Sequence, residues 1–261
     1  HVPTAHRCAL GGVTFWSATG NLTSFGARQH IANATLSTWQ LSGADGALTT
    51  ETVLHPQLQV TTTTLHWSGS APLDFKVSTW AVGGTADAGG HHQAQSYSSA
   101  AACCDGGGKA VPCAPSSMHC VARNASQSPS PKQIWAGLST RILGGIPQAT
   151  VAQHNVSDSD SGLWGGAGQR ISVVTSSVTL AKGQSLATVT GLGDSFFDSS
   201  NTTHDASPLP AAAALATANS PEAIASATTA SWERFWSVSS VSTPTLPALE
   251  YCWYGSLYMT K

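Results

Sequence analysis

The chain has 261 residues and a net charge of −2, and only 9% of its residues are charged although 41% are hydrophobic. A typical soluble domain has about 25% charged residues, so we expect a surface that is polar but largely uncharged. Without a run of Lys or Arg the chain has no basic patch for a phosphate backbone, and no apolar run approaches the ~20 residues that span a bilayer, so nucleic acid and membrane are excluded as partners.

Residues 1–204 carry the signal of a sheet protein. Alternation of apolar and polar residues with a period of two predicts strands that each have one buried face. The arms with this pattern are 34–42, 47–55, 57–67, 73–79 and 134–142.

A hairpin is predicted at residues 171–190, where two arms rich in Val, Thr and Leu flank Lys182–Gly183. Glycine can adopt the positive φ that a tight turn needs. We therefore predict a mainly β protein, in which residues 1–204 form a large antiparallel β-sandwich of the supersandwich type.

The segment at about 83–130 interrupts the pattern, because it is rich in Gly, Ala, Ser, His, Cys and Pro and lacks apolar periodicity. We predict a long insert that leaves the sandwich and is held by disulfides. Pairing of Cys8 with Cys252 would tie the two ends of the chain, but sequence does not determine the pairing. The six cysteines are Cys8, Cys103, Cys104, Cys113, Cys120 and Cys252.

A zinc site is the alternative use of the cysteines in this insert, because His119 lies beside Cys120 and thiolates and imidazole are the ligands that zinc prefers. The adjacent Cys103 and Cys104 do not match the spacing of common zinc modules. In an oxidising compartment such thiols pair with each other. We therefore predict disulfides, with no metal and no other cofactor.

Five Asn-x-Ser/Thr sequons predict N-linked glycans, since none has proline in the middle position. Disulfides and N-glycans share the secretory route, so the two signals together predict a secreted, extracellular glycoprotein. The predicted glycosylation sites are Asn21, Asn33, Asn124, Asn155 and Asn201.

The pattern changes over 205–261, which we predict to be a helical linker. An alanine-rich run is followed by Ser220 as N-cap, Pro221 at the first helical position and Glu222 in the first turn. This helix is predicted to extend to about Trp236, with an apolar stripe along one face.

A second helix is predicted to begin near Pro247, and apolar side chains surround its axis. Such a helix is expected to be buried on all sides, so we predict that the segment Leu249–Met259 contacts something outside these residues. The predicted interface residues of the two helices are Trp232, Phe235, Trp236, Trp253, Tyr254, Leu257 and Tyr258.

The residues 231–236, Ser-Trp-Glu-Arg-Phe-Trp, begin a series of short motifs. Leu-Pro follows at 246–247, Leu-Glu at 249–250 and Trp-Tyr-Gly-Ser-Leu-Tyr at 253–258. This series resembles the junction between the amino-terminal β-sandwich and the (α/α)6 barrel of glycoside hydrolases similar to families 65 and 95.

The resemblance implies a β-sandwich that packs against a barrel outside these residues. It also implies that the general acid and base, both carboxylates, belong to that barrel, so we assign no catalytic residue to this chain. The predicted function is therefore that of a non-catalytic domain of a secreted glycoside-hydrolase-like protein.

Two other functions fit the sequence. One is a structural glycoprotein subunit of an extracellular fibre or coat, which would bury its aromatic C-terminal helix in a neighbouring subunit. The other is a carbohydrate-binding module with polysaccharide as its partner, which requires an aromatic platform that faces solvent. Trp164, set among glycines, is the candidate for that platform.

Overall fold

The computed structural model describes residues 11–16, 22–42, 46–83, 95–101, 118–126, 133–144, 150–155, 170–194, 208–240, 242 and 244–260. The strands are β1 (Gly11–Trp16), β2 (Leu22–His30), β3 (Thr35–Ser42), β4 (Ala47–Leu54), β5 (Val60–Trp67), β6 (Leu73–Gly83), β7 (Gln95–Ala101), β8 (Met118–Ser126), β9 (Gln133–Leu143), β10 (Thr150–Asn155), β11 (Arg170–Leu180) and β12 (Ser185–Asp194). The helices are α1 (Leu209–Ala218), α2 (Pro221–Ser239) and α3 (Pro247–Thr260).

The strands of the described ranges form two antiparallel sheets, which confirms the predicted mainly β sandwich. The chain divides into two compact units. The first unit is built from residues 1–19, 74–179 and 188–218, and the second from 20–73, 180–187 and 219–261. Each unit thus combines distant segments, and the linear division at residue 204 stays a prediction.

The first unit contains two layers of strands. One layer has the order β1-β6-β11-β10 and the other the order β12-β9-β8-β7. Their core combines Ala81 and Val174 of the first layer with Val121, Leu138 and Leu192 of the second. The two layers therefore bury their apolar faces against each other, as the alternation in the sequence predicts.

His119 lies within this core and is fully buried. Its Nδ1 is 3.2 Å from Thr79 Oγ1, and its Nε2 is 2.8 Å from Ser176 Oγ. Burial lowers the pKa of His119 from 6.5 to about 4, because desolvation disfavours the imidazolium. A neutral imidazole therefore links β8 to β6 and β11, which belong to the opposite layer.

The predicted insert at 83–130 differs from the structure, which forms strands β7 and β8 there. On β8, His119 and Val121 point into the core, while Met118, Cys120 and Ala122 are buried on the other face. Both faces of β8 are buried, so its sequence lacks the apolar–polar alternation on which the prediction was based.

Helix α1 packs on three glycines of β9 and β12. A Cβ on Gly191 would lie 2.1 Å from the carbonyl oxygen of Ala212, and one on Gly193 would lie 2.3 Å from that of Pro208. A Cβ on Gly137 would lie 2.9 Å from Leu209 Cδ2. The absence of side chains at these positions therefore lets the helix backbone approach the strands closely.

The second unit contains the strand order β2-β3-β4-β5, followed by the first residues of β12. Threonine pairs bond across the strands, with Oγ1–Oγ1 distances of 2.6 Å for Thr38–Thr50 and 2.9 Å for Thr52–Thr63. The predicted turn before β12 is confirmed, with Gly183 at a φ of 74°.

Helix α2 begins as predicted, because the side chain of Ser220 accepts a hydrogen bond of 3.1 Å from the amide of Ala223. The helix contacts β4 and β5. Thr228 Oγ1 lies 2.9 Å from the carbonyl oxygen of Leu54. Ile224, Thr228 and Trp232 are buried, so the predicted stripe is the face that packs on the sheet.

We predict that His119 makes the protein less stable as the pH falls from 6.5 to 4. The folded state holds the imidazole neutral to about pH 4, whereas the unfolded state binds a proton near 6.5. Protonation therefore stabilises the unfolded state and lowers the free energy of unfolding by about 3 kcal/mol between pH 6.5 and pH 4. Above pH 6.5 this group does not change the free energy of unfolding. Urea unfolding at pH 7 and pH 4 should show that loss for the wild type and not for His119→Gln. The exposed His66→Gln variant is the control, and an equal pH dependence of all three proteins would contradict the prediction.

A methyl group at Gly191 is expected to separate α1 from β12. We predict that Gly191→Ala lowers the free energy of unfolding by about 1–3 kcal/mol, because the contacted atom belongs to the backbone and cannot rotate away. Gly255→Ala in α3 is the control, since no atom lies within 4 Å of its added Cβ. Thermal unfolding by circular dichroism measures both, and equal midpoints would show that α1 does not pack as described.

Candidate functional site

Four aromatic side chains of α2 and α3 form one group, called here the aromatic cluster: Trp232, Phe235, Trp236 and Tyr254. The ring centroids of Trp236 lie 5.5 Å from Trp232, 4.7 Å from Phe235 and 5.1 Å from Tyr254. The contacts to Phe235 and Tyr254 are edge-to-face, the arrangement that aromatic quadrupoles favour. The cluster therefore joins the two helices through one central indole.

Backbone carbonyls hold the indole groups in place. Trp236 Nε1 donates to the carbonyl oxygen of Ile31 at 3.1 Å, at the turn between β2 and β3. Trp253 Nε1 donates to the carbonyl oxygen of Ser239 at 3.3 Å, at the end of α2. These bonds fix α2 to the sheet of the second unit and α3 to α2.

The remaining sides of α3 face solvent. Leu249 is 56% exposed, Tyr251 is 74% exposed and Trp253 is 44% exposed. With the exposed Cys252 they form what is called here the outer surface of α3. The side chains of Leu257 and Tyr258, two of the predicted interface residues, lie outside the described part of the structure.

The structure thus divides the predicted interface residues into two groups. Trp232, Phe235, Trp236 and Tyr254 pack among themselves, whereas Trp253 contributes to the outer surface of α3. Apart from the thiol of Cys252, the outer surface of α3 offers apolar packing area. The arrangement is therefore suited to contact with another apolar surface.

Cysteine pairing is described at two positions. Cys120 is not a free thiol, although its partner lies outside the described residues. Cys252 has a free, exposed thiol on α3, so the structure does not form the disulfide that we predict for it. Cys8, Cys103, Cys104 and Cys113 also lie outside the described residues, and their disulfides stay predictions.

The zinc alternative conflicts with the position of His119. Both of its ring nitrogens face hydroxyl groups in the core, and Cys120 points to the opposite face of β8. Across the described ranges, no three His, Cys, Asp or Glu side chains are grouped so that they could hold a metal ion.

None of the helices in the described ranges is both long and apolar enough to cross a bilayer.

Among the predicted glycosylation sites, only Asn33 has a described side chain. It lies in the turn between β2 and β3, where its Oδ1 accepts a hydrogen bond of 3.3 Å from the amide of Thr35. Asn124 and Asn155 are placed in β8 and β10 by their backbones, and Asn21 and Asn201 lie outside the described residues.

An exposed indole that sequence reasoning missed is Trp39 on β3, which is 37% exposed. Trp164, the platform that we considered from sequence, lies outside the described residues. Trp39 lies in a strand with apolar–polar alternation, a pattern that predicts a core position for an apolar residue. Only the pairing of the strands shows which residues surround it.

One similar solved structure is described as "Putative kojibiose phosphorylase from human microbiome" and has a TM-score of 0.53 and 7% sequence identity to this chain. The similarity covers 93% of this chain and 30% of that one. This chain therefore corresponds to about a third of that protein's length, and identity this low shows likeness of fold alone.

No protein-family model matches the sequence, and no curated protein matches it.

Removal of the central indole should separate α3 from α2. We predict that Trp236→Ala lowers the free energy of unfolding by about 2 kcal/mol, since it deletes the ring that contacts the other three. Tyr251→Ala on the outer surface of α3 should change it by less than about 0.5 kcal/mol. Urea unfolding followed by circular dichroism compares the two variants. A larger loss for Tyr251→Ala would mean that the helix packs through its other side.

Proposed function

We propose that this chain is a non-catalytic β-sandwich domain of a secreted glycoside-hydrolase-like protein, and that its outer surface of α3 docks against an (α/α)6 barrel. The observation that carries the proposal is the exposure of Leu249, Tyr251 and Trp253 on a helix that the aromatic cluster already holds in position. A helix fixed on one side and apolar on the other is an arrangement that favours a second contact.

The gain available from covering this surface is substantial. A buried aromatic side chain covers about 150–250 Å², and each Å² of apolar burial contributes about 25 cal/mol. Covering Tyr251, Trp253 and Leu249 therefore favours contact by roughly several kcal/mol. Val238 and Leu246, which are 84% and 58% exposed, flank the same helices and add to it.

The similarity of fold supports the choice of partner. The similar solved chain is described as a "Putative kojibiose phosphorylase from human microbiome", and the similarity accounts for 30% of its length. Most of that protein therefore lies outside the part that this chain resembles. By analogy, the groups that cleave a glycosidic bond would lie on the barrel and not on this chain.

Secretion and N-glycosylation belong to the same proposal. Asn33 supports them, because it lies partly exposed in the turn between β2 and β3, where its Oδ1 accepts a hydrogen bond from the amide of Thr35. A surface with few charges is also suited to solubilisation by glycans.

The alternative function, a structural subunit of an extracellular coat or fibre, would use the outer surface of α3 for a different contact. There the outer surface of α3 would be covered by a neighbouring copy and not by a barrel, giving a head-to-tail contact. Light scattering distinguishes the two, since the subunit forms polymers of the 261-residue chain and the domain does not.

The free thiol of Cys252 provides the test, because it lies on the outer surface of α3. We predict that a maleimide labels Cys252 rapidly in the 261-residue chain and at least about tenfold more slowly in the native protein, where the barrel covers it. Both proteins carry Cys8→Ser, so that pairing with Cys8 cannot cause the protection. Cys252→Ser is the control that identifies the labelled residue.

Three results would contradict the proposal. Equal labelling rates would show that nothing covers α3 in the native protein. A deglycosylated native mass near 26.7 kDa would show that no further domain exists. Cleavage of aryl glycosides by the 261-residue chain alone would show that the domain is catalytic.

A further inference from the structure

The pairing of β2, β3, β4 and β5 brings residues from four strands onto one face of the second unit. Gly26 pairs with Trp39, Trp39 with Thr49, and Thr49 with His66. Directly paired residues of antiparallel strands point to the same side of the sheet. His66 Nδ1 lies 3.0 Å from Ser185 Oγ, which continues this row onto β12.

A second row lies beside the first on the same face, because residues two apart on a strand share a side. Arg28 pairs with Ser37, Ser37 with Glu51, and Glu51 with Thr64. Arg28, Glu51, Thr49, His66 and Ser185 are exposed. The two rows thus surround one indole with hydroxyl, carboxylate, guanidinium and imidazole groups, and the two opposite charges cancel.

Trp39 lies over Gly26 of the neighbouring strand. A Cβ at Gly26 would be 2.1 Å from Cζ2, 2.2 Å from Cε2 and 2.7 Å from Nε1 of Trp39. Paired strands are about 4.8 Å apart, so an indole that reaches this point leans across the sheet and does not stand away from it. The ring therefore packs against the glycine position, and 37% of Trp39 stays exposed to solvent.

Another exposed indole, Trp16 of the first unit, shows the contrast. The ammonium of Lys76 lies 4.5 Å from the centre of its ring, and its Nε1 donates to Ser78 Oγ at 3.1 Å. Both the ring and the Nε1 group of Trp16 therefore have partners within the protein. Trp39 has no cation over its ring in the part of the chain that the structure describes.

We propose that the face around Trp39 is a binding site for a neutral oligosaccharide built of glucopyranose rings. The axial C–H groups of such a ring form an apolar, slightly positive face that matches the negative face of an indole. Its equatorial hydroxyls point outwards in the ring plane, where Thr49, Glu51 and His66 can donate to them or accept from them. The cancelled charge of Arg28 and Glu51 favours a neutral ligand over an anionic one.

The site does not depend on the proposed docking of α3. It lies on strands β2–β5, and its occupant is a sugar and not a protein domain. Its test measures the binding of oligosaccharides to the 261-residue chain in solution and does not require the native partner. Failure of one proposal therefore leaves the other unaffected.

Isothermal titration with cellohexaose and with maltohexaose tests the site, and the two arms distinguish β-1,4 from α-1,4 linkage. The wild type is expected to bind at least one of them, and Trp39→Ala should weaken that binding at least about tenfold. Gly26→Ala should do the same while keeping the tryptophan, because its methyl group displaces the indole. Phe25→Ala is the matched control, since Phe25 is 63% exposed on the same strand and points to the opposite face.

Circular dichroism and thermal unfolding establish that each variant is folded, and Trp39→Phe, which keeps a smaller ring, should bind with intermediate affinity. Failure of the wild type to bind either oligosaccharide would overturn the proposal. Equal binding by the wild type and Trp39→Ala would overturn it as well. So would dimerisation of the wild type that Trp39→Ala abolishes in the absence of sugar, since the face would then be a contact between copies.

Discussion

The contact between Trp236 and Tyr254 determines how the carboxy-terminal helix is presented. Trp236 is fixed by its bond to the carbonyl oxygen of Ile31 and by stacking within the aromatic cluster, and Tyr254 packs edge-to-face on it at 5.1 Å. Because a helix places successive side chains about 100° apart, the contact of Tyr254 with Trp236 turns Leu249, Cys252 and Trp253 towards solvent. The apolar surface that we propose as an interface therefore follows from this ring contact together with the bond from Trp253 Nε1 to the carbonyl oxygen of Ser239.

Two kinds of polar side-chain contact stabilise the sheets. In the first unit, a neutral His119 bonds to hydroxyls of the opposite layer, and in the second, threonine pairs bond between strands. A core with so many hydroxyl groups needs each of them to have a partner. These bonds explain how a chain with only 9% charged residues builds a large sandwich from Ser, Thr and small apolar side chains.

The two proposals share a physical basis. Each concerns an aromatic surface that the fold positions firmly and leaves open, on α3 in one case and on β3 in the other. They differ in the groups around the aromatic rings. The outer surface of α3 is mainly apolar and suits a protein contact, whereas Trp39 is surrounded by polar groups that suit a sugar.

Sequence by itself determined the strands with one exposed face, the turn at Gly183 and the cap at Ser220, because those signals are local: a period of two, a positive φ and a side-chain bond three residues away. It also identified the aromatic residues of the two last helices. Tertiary structure decided the rest. Strand β8 was missed because both of its faces are buried, and the platform at Trp39 depends on Gly26, Thr49 and His66, whose proximity arises only from the register of strand pairing. Pairing joins residues that are distant along the chain, and no local pattern encodes which of them will meet.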